Sequence, residues 1–150
     1  YVRGEASQLV AWQPQGSLTG LPPLAAVPDV PAWDDPEAAV ADRARAYLDS
    51  NCGHCHNPAG AADTSGLLLD AHTTGFRQLG YCKPPIAAGS GTGGRPYSIV
   101  PGRPDESILL FRMETDDPAT RMPETGRSLS HREGVNLIRD WIASMPGECV

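Results

Sequence analysis

The spacing of apolar residues predicts a first helix over residues 35–50. Asp35 can cap its first turn, Pro36 suits the first helical position, and Glu37 favours the positive end of the helix dipole. Four apolar residues then recur at helical spacing and form one face. They are Val40, Ala44, Tyr47 and Leu48. The C-terminal end of this helix therefore leads directly into the residues after Ser50.

Two further helices are predicted in the last third of the chain. Proline and acidic residues at 104–106 open the second helix, which continues through Met113. Ser130 and Glu133 form an S-x-x-E capping box for the third helix, which Pro146 ends. The apolar face of the third helix consists of Val135, Ile138, Trp141 and Ile142. No stretch alternates polar and apolar residues as a strand does, so the predicted fold class is mainly α with long loops.

The composition fits one domain with one core, because the chain has 150 residues of which 40% are hydrophobic. Its 16 glycines and 15 prolines favour loops. Residues 1–34 show little periodic pattern and are predicted to be a linker or an N-terminal segment that wraps the core. Trp12 and Trp33 favour packing of part of this segment, since linkers rarely contain large aromatic residues. The domain proper is expected over residues 35–150.

Charge and hydropathy argue against two classes of partner. The net charge of −6 disfavours binding to nucleic acid and to anionic membranes, because both require a basic surface. No apolar run approaches the ~20 residues that a membrane helix needs, so no membrane span is expected in this chain. The chain starts at Tyr1 and shows no signal peptide, so we expect a fragment or mature piece of a longer protein.

Residues 52–56 read Cys-Gly-His-Cys-His and are the strongest chemical signal in the chain. Cysteines at positions i and i+3 lie on one side of a helical turn, so Cys52 and Cys55 can both reach one edge of a porphyrin. His56 can then offer its imidazole nitrogen to the iron. C-x-x-C-H is the signature of c-type haem attachment, and we interpret the stretch as a haem c site. His54 is predicted to be a surface residue.

Zinc binding and thiol–disulfide exchange are the two alternatives for this motif. A structural zinc site normally needs four Cys or His ligands in two spaced pairs, whereas here only one pair exists and Cys82 and Cys149 stand alone. A thiol–disulfide oxidoreductase places C-x-x-C at a helix N-terminus, where the dipole stabilises a thiolate. In this chain the motif follows a predicted helix, which favours haem over both alternatives.

Haem iron in an electron carrier usually has a second protein ligand, and we predict Met122 for this role. Met122 lies in a loop between two predicted helices, from which its thioether can reach over the haem. Pro123 restrains the backbone next to it. The remaining candidates for the second ligand are Met113, Met145, His72 and His131.

These features together resemble a class I c-type cytochrome domain. The closer resemblance is to the cytochrome domains at the C-terminal ends of large exported bacterial proteins. The matching stretches are residues 43–60, 97–113 and 121–142, together with the two isolated cysteines. The likeness covers about residues 40–150 and implies the small class I cytochrome c fold and electron transfer rather than bond-making chemistry.

In that family the two cysteines of the motif would hold the haem, His56 would be the proximal ligand and Met122 the distal one. The chain departs from the family pattern at one point. Many small cytochromes of this class have Gly-Pro-x-Leu after the motif, and the proline carbonyl orients the proximal histidine. Here residues 65–68 read Ser-Gly-Leu-Leu, so the partner that orients His56 is left open.

Several residues outside the motif are candidates for the haem pocket. Pro101 ends a short apolar stretch, residues 99–101, that could line it, and Tyr97, which flanks this stretch, could hydrogen-bond the haem propionates. Arg95, Arg103 and Arg127 could bind the haem propionates, because arginine pairs well with carboxylates. The alternative for each arginine is a solvated surface charge. Trp141 is expected to lie in the core.

The sequence therefore predicts a one-electron relay and not an enzyme. Its partners are expected to be redox proteins, for instance a dehydrogenase domain or a copper polysaccharide oxygenase. The alternatives are a peroxidase-like haem catalyst and a ligand-sensing haem domain. Both need an open or labile sixth site at the iron, and Met122 argues against both.

The compartment and a disulfide follow from covalent haem attachment. In bacteria this attachment takes place outside the cytoplasm, so a periplasmic or secreted location is expected, where disulfides form. The two thiols that remain after haem attachment are Cys82 and Cys149. We therefore predict that these two cysteines form a disulfide.

Overall fold

The computed structural model describes residues 8–27, 29–86 and 88–150. Its α-helices are α1 (Gln8–Trp12), α2 (Val40–Leu48), α3 (Ile108–Glu114) and α4 (Arg132–Ser144). Within these described ranges, β structure is limited to two isolated bridges, Tyr81–Ile99 and Tyr97–Ser107. The predicted mainly α class with long loops is therefore confirmed. None of the described helices is long and apolar enough to cross a membrane.

Helix α2 begins at Val40, so the prediction that it starts at Asp35 was wrong. The Asp35 carboxylate accepts a hydrogen bond from the Glu37 backbone N–H (3.0 Å), and its carbonyl accepts one from Ala38 (3.3 Å). Ala39 is extended, with ψ 145°, and separates this local turn from the helix. After Leu48 the chain continues directly into a π-helical turn over Asp49–Gly53.

The predicted second helix is interrupted at Ser107. Residues Pro104–Glu106 form a single 3₁₀ turn, and α3 starts only at Ile108. Ser107 is fully buried and extended, with φ −95° and ψ 128°. Its hydroxyl accepts a hydrogen bond from the Val100 N–H (2.9 Å) and donates one to the Arg103 carbonyl (3.0 Å). These bonds to neighbouring backbone compete with a continuous helix.

The capping box predicted for α4 was wrong, whereas its apolar face is confirmed. His131 precedes the helix, with no cap bond from a described side chain. The Ser130 hydroxyl donates instead to the Met113 carbonyl (3.1 Å), near the end of α3. The predicted face is buried, and the helix ends at Ser144, just before Pro146.

The hydrophobic core lies where α2, α3 and α4 meet. Its fully buried members include Ala44, Leu48, Leu110, Ile138 and Ile142. Trp141 also lies in this core, as predicted. Helices α2 and α4 approach closely at Gly134. The ring of Tyr47, on α2, occupies the space that a Cβ atom at position 134 would need. This crossing fixes the position of the last turn of α2, which leads into the Cys-Gly-His-Cys-His segment.

Part of the N-terminal segment packs on this helical core. The ring of Trp33 lies edge-on to His131, with centroids 5.0 Å apart, and its carbonyl accepts a hydrogen bond from Arg43 (3.5 Å). Trp12, on α1, is 44% exposed. The part around Trp33 therefore contacts α2 and His131, although the Trp33 side chain stays 37% exposed. Residues 1–7 and 28 of the predicted segment lie outside the described residues.

Cys82 and Cys149 lie at disulfide-bonding distance, with their Cα atoms 5.3 Å apart. This is the pairing that the sequence predicts. The pair connects the irregular middle of the chain to the residues after α4. The Cys82 N–H also donates a hydrogen bond to the Ile99 carbonyl (2.9 Å), which fixes the backbone on that side.

Candidate functional site

The end of α2 and the turn after it present the two cysteines of the motif. The carbonyl of Cys52 accepts hydrogen bonds from the N–H groups of Cys55 (3.1 Å) and His56 (2.9 Å), so the three residues share one helical turn. Neither cysteine is in a disulfide. Gly60 lets the chain turn back beneath them, because a Cβ there would overlap the Cys55 carbonyl. The local fold thus leaves two thiols available on one turn.

The orientation of His56 is set by a backbone carbonyl. His56 Nδ1 lies 3.0 Å from the Leu67 carbonyl oxygen, and the His56 carbonyl accepts a hydrogen bond from the Leu69 N–H (2.7 Å). A carbonyl can only accept, so Nδ1 must hold the proton and Nε2 keeps its lone pair. Leu67 therefore supplies the partner that the sequence left open. It was missed because a backbone acceptor has no side-chain signal.

The electrostatic surroundings favour the neutral, ligand form of His56. Burial lowers the pKa of His56 below its ordinary value, and the hydrogen bond to Leu67 opposes this effect. The charges of Arg112 and His54 lower the pKa of His56 further. A neutral imidazole is the form that binds a metal.

The surroundings of Cys52 do not favour a reactive thiolate. Burial, with the nearby Cys55 as a second cause, raises the pKa of the Cys52 thiol to about 11. A thiol–disulfide oxidoreductase needs a thiol whose pKa is lowered. The pKa of the Cys52 thiol is raised instead, which disfavours thiol–disulfide exchange as the function of the motif.

The loop that contains Met122 is held by hydrogen bonds to two arginines. The Met122 N–H donates to the Arg112 carbonyl (2.7 Å), and the Met122 carbonyl accepts from Arg127 Nη1 (2.8 Å). Arg127 Nη2 donates to the Thr115 carbonyl (2.8 Å), and Arg112 Nε donates to the Thr120 carbonyl (2.8 Å). The backbone at Met122 is therefore fixed on both sides of its side chain.

The motif and the Met122 loop enclose one cleft. A cavity of about 190 Å³ is lined by residues of both, among them Cys52, Cys55, His56 and Met122. A second cavity of about 300 Å³ shares Cys52 and Pro123 with it and extends toward Tyr47 and Arg127. The structure thus brings together the two cysteines, the histidine and the methionine that the sequence singles out.

Three of the predicted pocket residues lie elsewhere. Tyr97, Pro101 and Arg103 line a separate cavity next to Cys149, and they do not line the cleft of Cys52. Arg103 forms an ion pair with Glu106 (3.4 Å) within one 3₁₀ turn. A place for these residues around the haem stays a prediction, and the break at Ser107 keeps their turn against the segment around residue 100.

The two other predicted arginines also have partners of their own. The guanidinium group of Arg95 lies over the ring of Phe111, 4.4 Å from its centroid. Arg127 lines the cleft, but its guanidinium donates to backbone carbonyls of the Met122 loop and of α3. Arg127 therefore holds the Met122 loop, and its binding of a propionate stays a prediction.

The donor set fits a c-type haem. Two unbonded thiols stand at i and i+3, one imidazole has its Nδ1 hydrogen-bonded and its Nε2 unprotonated, and one thioether lines the same cavity. Among residues 8–27, 29–86 and 88–150, no three or more His, Cys, Asp or Glu are grouped to hold a metal ion. A haem iron with one histidine and one methionine does not require such a group.

The chain was compared with known protein families, with curated proteins and with solved structures, and none of these comparisons finds a match.

Proposed function

We propose that this chain is an electron-transfer domain of the class I cytochrome c type, which holds one c-type haem and relays single electrons. Cys52 and Cys55 would hold the haem through thioether bonds, and His56 and Met122 would be its axial ligands. The observation that supports this best is the hydrogen bond from His56 Nδ1 to Leu67, in a cavity shared with both cysteines and Met122. Bound there, the haem iron supplies exchange between the ferrous and ferric states.

The residues of the chain have two tasks in this function. His56 bonds to Leu67, and the backbone of Met122 bonds to Arg112 and to the Arg127 side chain, so both ligand positions are fixed by hydrogen bonds. Fixed ligands change little when the charge on the iron changes, which suits rapid electron exchange. A held methionine also disfavours a catalyst or a ligand sensor, since both require a sixth site that opens.

The expected setting is the bacterial periplasm or the outside of the cell. The disulfide-distance pair Cys82–Cys149 is compatible with an oxidising compartment. The partners would be redox proteins, such as a dehydrogenase domain that delivers electrons or a copper polysaccharide oxygenase that accepts them.

Substitution of Met122 tests the proposed ligand set. In the haem-loaded chain, Met122→His should keep the iron six-coordinate and lower the reduction potential, because imidazole stabilises ferric iron better than a thioether does. We expect a decrease on the order of 0.1 V, a fraction of the roughly 0.8 V that axial ligands span. A redox titration followed by absorption spectroscopy measures both properties.

Met145→Leu is the matched control, because Met145 is a buried core methionine that does not line either part of the cleft. It should leave potential and spectrum unchanged. An unchanged potential and spectrum in Met122→His would place the sixth ligand elsewhere. A chain that takes up no haem would refute the function as a whole.

A further inference from the structure

Lys83 is the only lysine of the chain, and it is buried. Its exposed fraction is 8%, although lysines are almost never fully buried unless they are paired. Its ammonium group donates hydrogen bonds to two backbone carbonyls, those of Ser65 (2.6 Å) and Pro84 (3.3 Å). Burying an ammonium group is unfavourable, and these two hydrogen bonds offset part of that cost.

Ser65, which accepts the hydrogen bond from Lys83, belongs to a tight turn that follows the Cys-Gly-His-Cys-His segment. The Ser65 hydroxyl donates to the Ala62 carbonyl (2.6 Å) and accepts from the Leu67 N–H (3.1 Å). Gly66 is left-handed, with φ +60°, and its position faces the Lys83 side chain, 3.3 Å from where a Cβ would stand. Lys83 therefore packs on the turn and hydrogen-bonds to it at the same time.

This turn ends at the carbonyl that orients the proposed iron ligand. Leu67 accepts the hydrogen bond from His56 Nδ1 at 3.0 Å. On the other side, the backbone of Lys83 is fixed, because its carbonyl accepts from the Ser98 N–H (2.8 Å) and its neighbour Cys82 pairs with Cys149. A continuous set of direct contacts thus runs from the cystine to His56.

We propose that Lys83 is a positioning residue for His56. Its ammonium group holds Ser65 so that the Leu67 carbonyl stays within hydrogen-bonding distance of Nδ1. A firm Nδ1–H···O bond makes the imidazole a more basic ligand at Nε2, and through it the potential of the iron is set. The effect on the potential rests on the proposed function, whereas the hydrogen bond itself belongs to the chain with or without haem.

The test is Lys83→Met in the haem-loaded, ferrous protein, followed by nuclear magnetic resonance. We expect the Nδ1 proton of His56 to exchange with solvent about tenfold faster, as for the loss of one hydrogen bond. The reduction potential should also change. Arg77→Met is the matched control, because Arg77 is an exposed cation close enough to act on Lys83 electrostatically. It should leave the exchange rate unchanged and move the potential less.

Ser65→Ala tests the turn without changing any charge, and it keeps the Ser65 carbonyl to which Lys83 donates. It removes the hydroxyl that bonds Leu67 and Ala62, and it should also accelerate the exchange. Lys83→Leu is the second variant for the case in which Lys83→Met does not fold. Exchange in a folded Lys83 variant that is as slow as in Arg77→Met would overturn the proposal, whatever the rate in Ser65→Ala.

Failure of the proposed function can be told apart from failure of this inference. If the chain takes up no haem, the nitrogen chemical shifts of His56 in the haem-free chain report its tautomer. We then expect the Nδ1–H form in the wild type and a mixture of tautomers in Lys83→Met and Ser65→Ala. An unchanged tautomer in Lys83→Met would overturn the role of Lys83 independently of any haem.

Discussion

At the scale of single residues, two hydrogen bonds decide which atoms are available for chemistry. His56 Nδ1 bonds to Leu67, so only Nε2 is left to bind a metal, and Arg127 bonds to the Met122 carbonyl, so the methionine loop is held. The motif itself was predictable because C-x-x-C-H is local in sequence. The Leu67 carbonyl was not, since which carbonyl faces a side chain depends on the path of a turn.

Asp70 makes the chain sensitive to acid. Its carboxylate accepts hydrogen bonds from the Thr73 hydroxyl (2.7 Å) and the His72 N–H (3.0 Å), and chiefly the first of these lowers the pKa of Asp70 below its usual 3.8. The Asp70 carboxylate therefore binds a proton more readily in the unfolded chain than in the folded one. The stabilisation of the fold by ionised Asp70 is complete above the usual pKa of an aspartate, and it is lost as the pH falls toward the lowered pKa.

We expect the difference in unfolding free energy between wild type and Asp70→Asn to be largest above pH 4 and to shrink as the pH falls below the usual Asp value of 3.8. Denaturant unfolding of the haem-loaded chain at several pH values measures it. Asp140 is an exposed carboxylate on α4, so Asp140→Asn is the control for the loss of one negative charge. A difference that stays constant with pH would contradict the role of Asp70.

At the scale of elements, the crossing of α2 and α4 positions the motif. The apolar faces of both helices were predictable, because helical spacing alone identifies the residues that become buried. Their first residues were not predictable. Asp35 and Ser130 bond to neighbouring or distant backbone instead of capping, and Ser107 bonds across a loop and interrupts the second helix. The helix ends thus depend on which backbone groups these polar side chains bond, and the spacing of apolar residues contains no information about that choice.

Gly134→Ala tests the crossing. An added Cβ would overlap the ring of Tyr47, so the ring or the helices must shift, and overpacking of this kind costs about 1–3 kcal/mol of stability. Chemical denaturation measures the loss. Asn136→Ala, exposed on the same helix, should change stability by less than about 0.5 kcal/mol. A Gly134→Ala variant as stable as the wild type would show that the helices do not approach so closely.

At the scale of the whole molecule, long loops surround a three-helix core. The pairing of Cys82 with Cys149 was predictable by counting thiols, whereas the path of residues 57–104 was not. That path is set by tertiary contacts such as the bridge between Tyr81 and Ile99. For this reason Tyr97, Pro101 and Arg103 were expected beside the motif but lie near Cys149.

The cystine should contribute substantially to stability. It closes a loop with a sequence separation of 67 residues, for which the chain-entropy model gives about 4 kcal/mol. The non-reduced protein should lack two hydrogens by mass spectrometry, and the Cys82→Ser, Cys149→Ser double variant should unfold at lower denaturant concentration. Alkylation of both thiols in the native, non-reduced protein would contradict the pairing.

Covalent attachment of haem is the most direct test of the central claim. The chain should be produced in a bacterial periplasm with an active haem-attachment apparatus and then denatured on a gel stained for haem. Colour should stay with the wild-type band and with the Cys82→Ala, Cys149→Ala control, and the Cys52→Ala, Cys55→Ala variant should lose it. Release of the haem into acidic acetone from the wild type, or an unstained wild-type band, would contradict covalent attachment through Cys52 and Cys55.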